Sequence, residues 1–283
     1  MTIETPQILK AASALGVLGG GPHSGFHLLG MLSNPDLEFA DVCGLIEQDP
    51  GLTARVLRVA NSAFYGVPRD VTTIHRAITL LGVDAVRGIA AAACLDRALP
   101  GGSDHGPVDA AALVKHSLAA AIAAETFAHL KHPKLVPEAF IAALLHDLGI
   151  PVQTRLDMAG AQRLAQALRA DPTADLRELE TLYMATGHEH CAGVVFQHWQ
   201  LPPPLTEAAR HHHQPQSAPP AQRMLAILVH LGDQASLMAG YSHSMEPQPL
   251  APDPVLLAEA GLTAADIERV ARELPGRMEL FTA

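Results

Sequence analysis

The chain has 283 residues, 48% of them hydrophobic and 17% charged, which is enough apolar material for one large folded domain or two small lobes. Its 19 Lys and Arg against 29 Asp and Glu give a formal charge of -10, which opposes non-specific attraction to nucleic acid or to an anionic membrane. Cys43, Cys94 and Cys191 are odd in number and far apart, so neither a disulfide framework nor a thiolate zinc site is favoured, and any metal here would need other ligands.

Taken in chain order, almost every segment reads as helix, because apolar residues recur at three and four rather than at two. The expected fold is all-α. A first amphipathic helix is predicted from Pro6 to Leu18, followed by the Gly-rich break "GGGPHSG". Two short helices, "FHLLGMLSN" and "LEFADVCGLIEQD", are divided at Asn34-Pro35. Asp49-Pro50 supplies a cap and a first-turn proline for "GLTARVLRVAN", and Thr73 caps "IHRAITLLG" before "VDAVRGIAAAACLDRAL". In "ANSAFYG", Asn61 and Ser62 are suited to satisfying helix-end groups, and Phe64 and Tyr65 to anchoring a junction. "PGGSDHGP", residues 100 to 107, is the expected boundary between two packed lobes.

Beyond it come a long Ala-rich helix from about Asp109 to Leu130, an apolar helix carrying His146 and Asp147 in its last turn, and two polar helices to Gly187. "HEHCAGVVFQHWQ" and "PPLTEAARHHHQP" follow, then the break "QSAPPAQ" and a helix through "RMLAILVHLGDQASLM". The tail from Pro252 to about Leu274 predicts two more helices, the last capped by Thr263. No apolar run is expected to be long enough to cross a bilayer, and "MTIETPQILK" lacks a signal peptide's basic region and apolar core. A cytoplasmic location without membrane contact is the expectation.

The chemistry-bearing residues lie in the second half. His116 sits mid-helix, His146 and Asp147 end one helix, His190 follows "ATGHE", His212 and His213 close another helix, and Asp233 lies inside an apolar one. These are the residue types that bind divalent cations, and helix C-termini, with their partial negative charge, favour cations. Neighbours on a helix point about 100° apart, so His146 and Asp147 are expected to converge only on an ion held off the helix end, with other helices completing the shell. Nitrogen and carboxylate donors without thiolate point to zinc, iron, manganese or nickel rather than calcium. So many donors exceed the usual four of zinc, which leaves two ions, or one ion with supporting partners. Asp233 reads equally as a ligand or as a locally paired carboxylate. His188, His198, His211 and His230 are left out of the ligand set, and Trp199 is assigned to the core.

The order His116, His146-Asp147, Asp233 resembles the H…HD…D pattern of the HD superfamily of metal-dependent phosphohydrolases. More closely, "IEQDPGLTARVLRVANSAFYG", "IHRAITLLGVDAVRGI", "AFIAALLHDLG" and "HHHQP" resemble the HDOD family, the HD-related output domains of bacterial signalling. The resemblance covers roughly residues 20 to 240. It implies an N-terminal helix and loop (1–20), an HDOD-like domain (21–240) with a first lobe to about 100 and an HD-like helical bundle from about 107, and a C-terminal helical extension (241–283).

That family is typically regulatory, and most members are thought to have lost catalysis. The implied protein is a stand-alone signal-transduction module acting on a signalling protein partner, or through a nucleotide or phosphate ligand. His116, His146, Asp147 and Asp233 match the superfamily's metal positions, and His190, His212 and His213 match positions used by the related HD-GYP phosphodiesterases. One or two ions of iron, manganese or zinc are implied. Where those enzymes carry a Lys and a GYP stretch, this chain has Ile150 and "QPQSAPPAQ", which speaks against cyclic-di-GMP hydrolysis. A metal-dependent phosphohydrolase is the competing expectation.

Overall fold

In a computed structural model the described residues are 4–15, 31–32, 38–61, 71–98, 107–245 and 251–282. Among them all regular structure is helical. The glycine-rich break at 19–25, most of "FHLLGMLSN", Ser62, Phe64 and Tyr65 of "ANSAFYG", and the boundary loop up to Gly106 lie outside the described residues.

Helix α1 (Thr5–Ala14) is followed by four helices of the first lobe: α2 (Phe39–Glu47), α3 (Pro50–Ala60), α4 (Ile74–Leu81) and α5 (Val83–Ala98). Their ends are set by the signals in the sequence. The Asp49 carboxylate accepts from Leu52 N at 3.0 Å to open α3, and Thr73 caps α4. Asn61 closes α3: its amide donates to Leu57 O and Val71 O, each at 2.8 Å, and its Oδ1 accepts from Val71 N at 2.7 Å. A routine helix-end residue thus also ties α3 to the start of α4.

The second lobe is built on α6 (Ala110–Lys131), whose middle, residues 116–124, is buried on all sides, as a central helix must be. Around it stand α7 (Val136–Leu145), α8 (Gly149–Leu156), α9 (Met158–Ala170), α10 (Leu176–Tyr183), α11 (His188–His198), α12 (Pro203–His211) and α13 (Arg223–Met238). At residue 232 a Cβ would sit 2.6 Å from Ala120 O and 2.9 Å from the Ala124 Cβ, so Gly232 on α13 and the alanines of α6 let the two helices meet backbone to backbone. At 149 a Cβ would meet His188 O at 1.9 Å, so Gly149 does the same for α8 and α11. These two close approaches bring four helices to one point.

Helix α1 packs on α8 and α11, and α5 packs on α6 and α7, so one apolar core runs through both lobes. The tail forms α14 (Pro254–Ala260) and α15 (Ala264–Thr282), with α15 lying on α6 and α13. Helix α15 runs through Pro275 rather than ending at Leu274. Pro275 is exposed, so the position that cannot donate faces water.

The expectation that no segment is long and apolar enough to span a bilayer is corrected by Pro133–Leu156. That stretch passes by length and hydropathy, but 83% of its most apolar 18-residue window is buried inside the protein and it turns at His146–Leu148, which makes it the core corner of the second lobe.

Candidate metal centre

His146 and Asp147 do not sit in the last turn of α7. The helix ends at Leu145, and the doublet forms the turn that leads into α8. There the backbone hydrogen bonds tighten to i→i+3, Leu148 N to Leu145 O and Ile150 N to Asp147 O, and the two side chains converge, His146 Nε2 lying 3.2 Å from Asp147 Oδ2. This differs from the 100° separation expected on a continuous helix.

Asp147 is shared by two groups of donors. Its Oδ2 faces His116 Nε2 (3.5 Å) and His146 Nε2, which are themselves 3.3 Å apart, and Asp233 Oδ1 lies 3.4 Å from His116 Nε2. Its Oδ1 faces His188 Nε2 and His212 Nε2, each at 3.5 Å, and these are 3.2 Å apart, with His213 completing the group. His116 comes from α6, His188 from α11, His212 and His213 from the turn after α12, and Asp233 from α13. Thus the structure brings together His116, His146, Asp147, His212, His213 and Asp233.

It does not bring His190. That residue lies on the exposed face of α11, and His188, two residues earlier and fully buried, stands in the cluster instead. The physical reason is the helix period: His188 lines up with Cys191, Ala192 and Val195 on the apolar face, and His190 points the other way.

Four of the rings have Nδ1 on an acceptor. His146 Nδ1 donates to Ala143 O (2.7 Å), His212 Nδ1 to Ala209 O (2.8 Å), His188 Nδ1 to Glu180 Oε1 (2.7 Å), and His116 Nδ1 to Tyr241 O (3.0 Å) and Ser236 Oγ (2.9 Å). The network assigns the proton to Nδ1 and turns each Nε2 lone pair inward, the tautomer of a metal-ligating histidine. In the neutral rings the close Nε2 pairs set lone pair against lone pair, and a cation or a proton must lie between them. The buried Asp233 Oδ1 and His213 Nε2 have no hydrogen-bond partner. Donor separations of 3.2–3.5 Å match the edge of a tetrahedron of ligands about 2.1 Å from a centre, which is about 3.4 Å. By charge, donor type and spacing either group of residues fits a divalent cation, and Asp147 belongs to both groups.

The electrostatics follow from burial and neighbours. Burial pushes His116 down to about 4 and His213 well below the usual imidazole range. Burial also opposes charge on His188, but the Glu180 carboxylate outweighs it and raises that ring to about 9. For Asp147 the desolvation is overcome by His146 and the other rings, which hold its carboxyl well below the usual range. His188, His243, Glu180 and Gln153 were missed from the sequence. Only His188 carried a signal, its register with the apolar face. His243, Glu180 and Gln153 reach the site through turns and tertiary contacts that periodicity does not encode.

Outside the cluster, α10, α11 and α12 line an open groove of about 1180 Å³ that includes Arg177, Glu189, His190 and Arg210. Glu189 links it to the centre: its Oε2 pairs with Arg177 Nε at 3.1 Å and its Oε1 accepts from His213 N at 3.3 Å.

An all-helical chain whose His-Asp doublet turns a helix corner, ringed by histidines from neighbouring helices, is of the HD-domain class. More narrowly, the chain belongs to the HDOD family, whose model, HDOD domain, matches residues 21–215. It is 25% identical over 199 residues, 70% of its length, to an uncharacterized protein of Treponema pallidum (strain Nichols). Among solved structures it is similar to a provisionally named signal transduction protein of Marinobacter aquaeolei VT8 (TM-score 0.75, 24% identity, 98% of this chain). It is also similar to a provisionally named phosphohydrolase of Shewanella amazonensis SB2B (TM-score 0.72, 23% identity, 98% of this chain and 97% of that one). An HDOD domain protein of Geobacter sulfurreducens has the same fold (TM-score 0.67, 22% identity, 98% of this chain and 97% of that one). The chain spans 38% of the Treponema relative and 64% of the Marinobacter one.

Proposed function

We infer that the chain is a regulatory protein of HDOD type that holds divalent cations in its second lobe and acts through contacts with a signalling partner or a phosphate-bearing ligand. The observation that carries this is the inward-facing set of Nε2 lone pairs around a shared carboxylate, which has no use as a packed core. Burial supports binding over turnover: of His116, His146, Asp147, His188, His212 and Asp233, none is more than 1% exposed. The groove beside Arg177 and Arg210 is the surface offered to a partner or an anionic ligand, and the Glu189 link carries contact there to His213. Glu180, Ala143 and Ala209 orient the rings, and α6 and α13 exclude water from them.

A second reading, a metal-dependent phosphohydrolase, is favoured by one feature, the position of Asp147 between two donor groups, as in two-cation hydrolytic sites. Bound cations would there supply Lewis acidity and lower the pKa of water.

Elemental analysis of protein purified without a metal-affinity tag tests both. Near-stoichiometric iron, manganese or zinc is expected, largely lost in Asp147→Ala and reduced in His146→Ala and His212→Ala. A folded wild type that stays metal-free after reconstitution would overturn the metal reading. Hydrolysis of phosphodiesters by the loaded protein at ordinary enzyme rates, abolished in Asp147→Ala, would replace the regulatory reading by the enzymatic one.

A further inference from the structure

After α13 the chain reverses at Gly240, whose φ of +86° suits glycine, and runs back over the cluster as residues 241–245. This segment is tied down along its length. Tyr241 N donates to Ser236 O at 3.0 Å, and Tyr241 O takes the His116 Nδ1 proton. The Ser244 hydroxyl donates to Pro107 O, at the entry to the second lobe, and Met245 is buried. Between these anchors His243 lies buried with its Nε2 3.1 Å from Asp147 Oδ2.

His243 differs in kind from the rings around it. Its Nδ1 is the acceptor, taking a hydrogen bond from Met245 N at 3.3 Å, so its proton belongs on Nε2 and points at the carboxylate. An N–H does not ligate a metal. His243 therefore adds no donor to the set; it takes up a lone pair of Asp147 from outside and stands against His116 with ring centroids 5.1 Å apart.

We propose that residues 241–245 are a latch over the cation centre, with His243 as the positioning residue that fixes the shared carboxylate and keeps solvent and phosphate-sized anions from it. The latch bears on cations only if the metal-holding reading is right, but its effect on access to the cluster rests on geometry alone. Its grip includes hydrogen bonds from one short segment to α6, to α13, to the α7–α8 corner and to Pro107, together with the buried Met245 side chain. A force on the segment would open the centre without unfolding a helix, so the latch is where regulation of the site would act.

Two measurements test it, on the full chain and on His243→Ala, Ser244→Ala and His243→Gln. In metal-free protein, carbethoxylation of His116 and His146 by diethyl pyrocarbonate is read by mass spectrometry. In zinc-loaded protein, the rate of zinc loss to a chelator is followed. His243→Ala and Ser244→Ala are expected to modify several-fold faster and to lose zinc roughly tenfold faster, with unchanged far-ultraviolet circular dichroism. His243→Gln keeps an N–H donor and is expected to return towards wild type, which a packing role would not produce. Rates within roughly twofold of wild type in both His243→Ala and Ser244→Ala would overturn the latch. If His243→Ala does not fold, Ser244→Ala decides, since it leaves the cluster untouched. If the wild type holds no zinc, the carbethoxylation rates of the metal-free protein still decide the latch, and elemental analysis decides the metal reading separately.

Discussion

Glu180 Oε1 accepts from His188 N (3.1 Å), His188 Nδ1 (2.7 Å) and Gln153 Nε2 (2.7 Å), and the residue is buried. Three donors on one oxygen hold both the ring and the start of α11, and they keep the carboxyl below its usual range against the opposing effect of burial. Removing the charge while keeping the shape should slacken the ring without emptying the core. Glu180→Gln is expected to weaken cation binding at the His188, His212 and His213 group by about 10–100-fold, with little change in the His116 and His146 group, as measured by metal titration of each variant. At this scale the sequence was legible where a residue type was rare in its setting. A histidine among alanines at 116, and an aspartate inside an apolar helix at 233, announced themselves. The choice between His188 and His190 was legible too, but only by weighing the register of α11 above the position implied by resemblance. His243 could not be read, because its partner Asp147 is far off in sequence and meets it only after the chain has folded back.

Helix existence followed from periodicity and caps nearly everywhere: the predicted ranges for α6, α12 and α13 lie within a few residues of those seen, and Thr263 does cap α15 through its exchange with Asp266. What the helices do to one another was less legible. The meeting of α6 with α13 depends on Gly232 and on two particular alanines of an alanine-rich helix, and nothing in the pattern singles those two out. Gly232→Ala puts a methyl group into the Ala120 carbonyl and must push α13 away from α6, carrying Asp233 away from His116. A loss of about 1–3 kcal/mol is expected, read as a lowered urea midpoint, together with weaker metal retention in the His116 group. An unchanged midpoint would mean that the two helices have slack at their crossing.

For the whole molecule the buried rings impose a pH dependence on the metal-free protein. His116, lowered to about 4 by burial, costs nothing above the unfolded value near 6.5, and its penalty grows as pH falls from there through about 4. His188, raised to about 9, contributes fully below 6.5, and its contribution is lost as pH rises through about 9. Thermal stability of the metal-free chain is therefore expected to be greatest near neutrality and to decline on both sides, with Glu180 and Asp147 adding to the acid limb. A melting temperature still rising from pH 6.5 to 9 would contradict the His188–Glu180 ion pair as the dominant alkaline group. The corner Pro133–Leu156, apolar enough to pass for a membrane span, has a consequence in time rather than in space. Helix α6 leaves the ribosome before it, but α13, which covers its other side, begins at Arg223 and so follows on the order of eighty residues behind the end of α7. At the usual pace of synthesis, about 5–20 residues per second, the greasiest part of the chain waits for several seconds half dressed. During that interval it is covered only by the helices already made, α1, α5 and α6, and by chaperones, and nascent chains stalled between α7 and α13 are expected to aggregate more readily than the finished chain.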